Sequence, residues 1–432
     1  MTKIDLGRIS PTYKGDYDST VSYNELDIVY DDTIGKSFIA KQASKGKDLP
    51  VDNENEYWGL IAKQGPKGNV GEIGPKGDRG DVGEIGPKGD RGDVGEIGPK
   101  GDRGDSGDKL QTMSLSMTYN ENEPYRYSEV LKRYKGVSQS ITLVNMVNIS
   151  SDTASDVTSS SESILQQAIT DAKTLGYKIA MIKPHIGPNR NDGFAKFKYV
   201  PDDISTFFSR YSDILLMQAS LCNLNNIPIL CISNELDSLI SSATQSYWSD
   251  IVNNIKNKYP NLKLTAAVAG AYSKQQEIIY NLVDIIGVNW YPEYYYGKIA
   301  TADDIPSDSI LAQGMMGYHA NDSENPNGIP DINYFFQKAI ALNKPIYFTE
   351  TGVMPKPDGL SQLITSTSGL PDMYEISAAA IRVFFSNMAS SRVVIGINWW
   401  HAQEPFNITS LSSTVPSVAE LEWKKMEDRY LS

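Results

Sequence analysis

Two short stretches set a carboxylate where paired acids could work on one substrate. Asn234-Glu235 closes the apolar run PILCIS, and Glu350 closes the run PIYFT. Around them fall large flat aromatics (Trp290, Tyr291, Trp399, Trp400), amides (Asn145, Asn148, Asn234), and Lys183, His185 and His401. A glycosidic bond needs one protonated acid for the leaving oxygen and one carboxylate for the anomeric carbon. Aromatic faces stack the C–H surface of the sugar, and amides bond its hydroxyls. Glu293 and Glu404 also follow apolar runs, but each adjoins a proline and reads as a loop residue. The three histidines, His185, His319 and His401, are far apart in sequence and share no metal-ligand motif, so no metal is predicted. A nucleotide loop and a Gly-x-Ser-x-Gly elbow are both missing, so no cofactor is predicted either.

The elements that must position these residues alternate regularly. Strands are predicted at 110–119, 141–149, 178–186, 228–235, 263–270, 285–292, 345–353 and 393–400, with amphipathic helices between them. Eight strand–helix units in residues 110–432 predict a (β/α)₈ barrel, whose active sites lie at the C-terminal ends of the strands. Glu235 then ends the fourth strand and Glu350 the seventh, nearly across the barrel. Side chains alternate along a strand, so at most one of Trp399 and Trp400 can face a bound sugar.

These residues resemble the clan A glycoside hydrolases, which have Asn-Glu on strand four and Glu on strand seven. IAMIKPHI, ISNEL, VNWYPEYY, YFTETGV and INWW are most similar to the family 113 mannanase-type barrels. The resemblance implies that Glu235 is the general acid/base and Glu350 the nucleophile of a retaining reaction. Asn234 would bond the hydroxyl next to the anomeric carbon, and Tyr291 would orient Glu350. Trp399 would floor the sugar subsite, with Lys183 and His185 lining the cleft. Many clan members carry an arginine at the end of strand two that keeps the nucleophile ionised. This chain has Asn145 and Asn148 there, which leaves that task to Lys183 or His185.

The first 109 residues have a different character. Residues 1–64 read as a small all-β module rich in aromatics. Its Tyr23, Asp27, Val29, Phe38, Ala40, Pro50 and Trp58 resemble the small chitin-binding-type carbohydrate modules. These aromatics are expected either to bind sugar or to form the core, and the module to bind sugar or mount the chain on a particle. From Gly65 to Gly107 glycine holds every third position, fifteen times, and GPKGDRGDVGEI recurs within the run. Only glycine fits at the axis of three intertwined polyproline-II chains, so residues 65–109 predict a collagen triple helix and a homotrimer. At about 3 Å per residue this rod would be roughly 130–140 Å long.

The net charge of −13 argues against a nucleic-acid partner, no apolar run reaches membrane-spanning length, and the N-terminus has no signal-peptide core. Cys222 and Cys231 read as buried thiols. The whole predicts a phage tail fibre or baseplate component that acts in the virion at the host cell surface. It would bind other tail proteins through the first module and cleave a surface polysaccharide. A receptor-binding fibre that holds a glycan without cutting it is the alternative.

Proline occurs only at the X position of the triplets, which makes the rod a weak trimeriser by itself. Residues 110–432 expressed alone should therefore be folded and monomeric in analytical ultracentrifugation; a trimer would show that the barrel drives association.

Overall fold

The computed structural model describes residues 12–31, 36–50, 55–63, 110–269, 277–317, 332–361 and 370–431. The triplet run 65–109, the turn at 32–35 and His319 lie outside them. The chain divides into two units, Met1–Gly101 and Asp102–Ser432.

In the first unit β1 (Thr12–Asp16), β3 (Asp27–Asp31), β4 (Lys36–Ala40) and β6 (Trp58–Lys63) form one sheet in the order β1-β3-β4-β6. The two-residue strands β2 (Ser22–Tyr23) and β5 (Ser44–Lys45) pair separately. Tyr23, Val29, Phe38, Ala40 and Trp58 are its buried cluster. Trp58 is fully buried, its ring edge-on to Tyr17 and Tyr23, and its indole N–H reaches Lys47 O at 2.9 Å. So small a module has little else to bury, and these aromatics serve as its core.

The second unit is a closed, all-parallel, eight-stranded barrel. Its strands are β7 (Thr112–Tyr119), β8 (Ser140–Ile149), β9 (Lys178–Pro188), β10 (Ile229–Asn234), β11 (Lys263–Val268), β12 (Ile285–Asn289), β13 (Ile346–Thr351) and β14 (Val394–Trp399). β14 pairs with β7 and closes the ring. Outside lie α1 (Pro124–Arg133), α2 (Glu162–Thr174), α3 (Ile204–Asn225), α4 (Gln245–Lys258), α5 (Glu277–Leu282), α6 (Asp308–Met315), α7 (Ile332–Leu342), α8 (Tyr374–Met388) and α9 (Val418–Tyr430). Side chains start several of these helices. Ser161, Asp203 and Ser417 accept from the exposed backbone N–H groups of the first turns of α2, α3 and α9. Asn226, at φ +54°, ends α3 in the left-handed conformation asparagine tolerates.

The strands are buried on both faces. One set of side chains packs outward against the helices, and the other fills the barrel. At the N-terminal end the filling is apolar, with Met181, Ile229, Cys231, Ala267, Ile285 and Tyr347. Above it the interior is polar and hydrogen-bonded. Ser114 Oγ lies 3.1 Å from Thr142 Oγ1 and 3.2 Å from the Tyr347 hydroxyl, and it donates to Asn398 Oδ1 at 2.9 Å. Asn398 Nδ2 donates in turn to Ser116 Oγ (2.6 Å) and Thr349 O (2.9 Å). This network leads upward to the C-terminal strand ends.

On the outer layer Trp248 of α4 is fully buried against Phe208 (5.0 Å between ring centroids) and donates its indole N–H to Leu239 O at 2.8 Å. Trp248→Ala should cost about 3–5 kcal/mol in urea denaturation, through a cavity and a lost hydrogen bond. A loss below about 1 kcal/mol would mean that the α3–α4 layer contributes little.

Candidate active site

The strand ends that carry the chemistry are irregular, and the irregularity aims the side chains. β10 shifts register against β11 between Cys231 and Ser233, β12 against β13 between Val288 and Asn289, and β13 against β14 between Phe348 and Thr351. Such bulges redirect the residues that follow them. Glu235 then takes φ +54°, an uncommon conformation for a residue with a side chain, while its N–H stays bonded to Ala267 O at 2.8 Å.

Glu350 is buried among donors. Oε1 pairs with Lys183 Nζ and lies 3.3 Å from His185 Nε2; Oε2 accepts from the Tyr291 hydroxyl at 2.7 Å. Burial alone would raise its pKa, but the Lys183 charge and then His185 override this and bring it down to about 2. Tyr291 moves the other way, well above its ordinary value, because it is buried and faces the Glu350 charge, so it remains a phenol donor.

Glu235 has a different setting. Burial, and then the negative charge of Glu350, raise its pKa. Its side chain is bonded by Asn289, whose Nδ2 donates to Glu235 Oε1 (2.9 Å) and Asn234 Oδ1 (3.1 Å). Asn289 Oδ1 accepts from Lys183 Nζ (3.2 Å) and Thr349 Oγ1 (2.8 Å), so a single amide links the two glutamates' surroundings. Two neighbouring carboxyls pushed in opposite directions are suited to the two halves of acid–base work.

Other predicted residues divide between the cleft and elsewhere. Trp400 lies at the cleft: its ring stacks on His185 at 5.0 Å and 6°, in a cluster with Val144, Met146, Met354 and Phe406. Trp399, expected to floor the subsite, is instead fully buried in the main core, because alternation along β14 sends it outward when Trp400 points in. Trp290 also packs outward, against Phe348 (6.0 Å) and Phe384 (5.9 Å). Asn145 follows the same rule: Thr142, Val144 and Met146 face the interior, so Asn145 turns away and donates to Ser159 Oγ at 3.0 Å. His401 flanks Trp400, but its nitrogens engage Thr118 Oγ1 (3.0 Å) and Gln403 (backbone O at 2.9 Å, N at 3.1 Å); burial lowers its pKa. Asn234 Nδ2 is buried with no hydrogen-bond partner among the described residues. Glu293 and Glu404 are exposed.

Sequence reasoning missed three residues. Asn289 carries no signal in the sequence beyond its place in the sixth predicted strand. Asp192 and Lys196, in the loop after β9, were not singled out, although Oδ1 of Asp192 lies 2.8 Å from both His185 Nδ1 and Lys196 Nζ. The glycine- and asparagine-rich stretch GPNRNDG was the available signal of a tight loop there.

Comparison with known proteins agrees with this architecture. Residues 134–406 match the profile of Glycoside Hydrolase Family 113, and residues 59–112 match that of the collagen triple helix repeat. Among solved structures the chain is similar to a GH113 β-1,4-mannanase, with 14% identity and a TM-score of 0.51, covering 74% of this chain and 99% of that one. It is also similar to the GH113 β-mannanase of Alicyclobacillus acidocaldarius in complex with ManMIm, with 13% identity and a TM-score of 0.53, covering 74% and 98%. At such identities the likeness shows the fold. No curated protein matches the chain by sequence.

The Glu350 pair makes a stability prediction. Its folded-state pKa of about 2 lies below the unfolded value, so ionisation stabilises the fold above the unfolded value, and this is lost as pH falls toward 2. Lys183→Met would leave burial dominant and reverse the sign, making ionised Glu350 destabilising. The variant should lose about 3–5 kcal/mol at pH 7, and the deficit should shrink at pH 5. An equal deficit at both pH values would show that Lys183 does not hold the charge.

Proposed function

The chain belongs to Glycoside Hydrolase Family 113, and we propose that it cleaves a β-linked hexose polymer with retention of configuration, Glu350 as nucleophile and Glu235 as acid/base. The observation that carries this reading is the opposite setting of the two glutamates: Glu350 is held ionised by Lys183 and His185, while Glu235 is held toward its protonated form by burial and by Glu350.

In the first step a Glu350 oxygen forms a bond to the anomeric carbon as the glycosidic bond breaks. The leaving oxygen takes the Glu235 proton. In the second step Glu235, now ionised, removes a proton from water. The water oxygen bonds to the anomeric carbon, and Glu350 leaves as carboxylate. The free Asn234 Nδ2 is placed to donate to a sugar hydroxyl, and Trp400 rather than Trp399 lies on the cleft side, stacked on His185. The similarity to GH113 β-mannanases makes a β-mannan the first substrate to try.

The collagen repeat supports a homotrimer. The order of small β module, collagen repeat and hydrolase barrel supports a phage tail fibre or baseplate component that acts on a host surface polysaccharide. Antibody against the barrel should then decorate the tails of virions in electron micrographs; labelling of cells but not of particles would contradict that placement.

Glu350→Ala and Glu235→Gln should each lower the release of reducing ends from purified polysaccharide at least about 10³-fold. Both variants should still bind the polymer in affinity electrophoresis. If the wild type binds and releases nothing, the barrel is a glycan receptor and not an enzyme.

A further inference from the structure

The loop that follows β9 presents a charged group that the two-glutamate chemistry does not itself use. After Pro188 the chain turns back sharply, with Arg190 N donating to Gly187 O at 3.0 Å and Asn191 N to Pro188 O at 2.9 Å. A Cβ on Gly187 would meet Asn191 O at 1.9 Å, so glycine is required for this return. Asn189 (φ +51°) and Arg190 (φ +57°) both take left-handed conformations, which persist only where the surroundings fix them. The segment after β7 does so. Asn122 Nδ2 donates to Asn189 O (3.4 Å), Asn120 Nδ2 to Arg190 O (3.3 Å), and the Arg190 guanidinium to Glu121 (2.8 Å).

This braced turn delivers Asp192 to the cleft wall. Its Oδ1 is 2.8 Å from His185 Nδ1 and 2.8 Å from Lys196 Nζ, and Lys196 Nζ also donates to Asp192 O at 2.9 Å. Both partners are almost wholly buried, with side chains 2% and 5% exposed. The His185 ring is therefore held at one edge by Asp192 and across its face by Trp400, and its other edge faces Glu350 Oε1, 3.3 Å from Nε2.

We infer that Asp192 is a positioning residue for the hydrolysis: it fixes the His185 ring toward Glu350 and anchors Lys196 in the cleft wall, so that one loop carboxylate sets the surroundings of both glutamates. The inference rests on the two-glutamate reading of the site. His185 and Lys196 face Asp192. Lys183, His185 and Tyr291 face Glu350. Glu235 is bonded by Asn289 and feels Glu350, Lys196 and Lys183. Burial would raise the Asp192 carboxyl, but Lys196 and His185 hold it well below the usual range, so it is an anion at any working pH.

Asp192→Asn keeps the shape and removes the charge. In the full-length protein it should lower kcat about 10²-fold with little change in KM, as a small misplacement at a reacting centre does. The acidic limb of kcat/KM should move to higher pH, because Glu350 loses an aligned His185. A loss of kcat with the limb unmoved is what a merely structural role would give, and it would overturn the inference. Two readouts need no turnover, so they are decided separately from the hydrolase reading. In protein labelled with ¹⁵N-histidine, the bonded Nδ1–H resonance of His185, assigned by its loss in His185→Asn, should vanish in Asp192→Ala, which removes the acceptor; its persistence would overturn the inference. In protein labelled with ¹³C-carboxyl glutamate, the Glu235 midpoint, assigned by Glu235→Gln, should rise in Lys196→Met as a nearby cation is removed. A midpoint that stays or falls would overturn it, and this titration decides the matter if Asp192→Asn does not fold.

Discussion

A lysine ammonium and a glutamate carboxylate, both out of water, meet at the top of the barrel. The side chains of Lys183 and Glu350 are 0% and 5% exposed. Removing either charge from water costs several kcal/mol, which only close pairing and complete hydrogen bonding can offset. Completeness is what the structure provides: the three N–H groups of Lys183 meet Glu350 Oε1, Asn289 Oδ1 and Thr349 O. These acceptors come from β12 and β13 and the donor from β9, so the pair forms only when the ring closes in register. A slip of one residue in β9 would turn Lys183 to the helix side and leave a buried carboxylate unpaired.

The division of labour between the glutamates follows from that constraint. Glu350 has cationic or donating groups at both oxygens. Glu235, half-buried, has a neutral amide and a negative neighbour. The same Lys183 that fixes Glu350 also orients Asn289, which reaches Glu235. The polar filling of the barrel below, through Ser114, Asn398 and Thr349, supports the first layer of the site with groups that are themselves bonded.

Much of this was legible in the sequence. Eight apolar runs separated by amphipathic stretches are a periodic signal, and the barrel follows from their count. Knowing the fold and the ordinal of each strand is enough to bring Glu235 and Glu350 together. Which face a residue takes was harder to read. Trp399 and Trp400, or Asn145 and Met146, are neighbours of opposite direction, and only the strand's seating in the barrel decides which of each pair faces in. That seating comes from packing and leaves no composition mark. Asp192 was hidden for another reason: its position depends on a return turn at Gly187 and on bonds from a segment nearly seventy residues earlier, and no periodicity reports either. Strand two carries no arginine, and a cation on β9, Lys183, stands beside Glu350 instead; sequence order alone does not reveal that both strand ends open onto one cleft.

The central claim is that Glu350, held ionised by Lys183, is the group that bonds to the sugar. It is tested most directly by trapping that bond. An activated 2-deoxy-2-fluoro-β-hexoside matching the cleaved polymer should form a long-lived adduct, and peptide mass spectrometry should place the added sugar on Glu350. An adduct on any other carboxylate, or turnover of the polymer with inverted configuration and no adduct, would contradict the account.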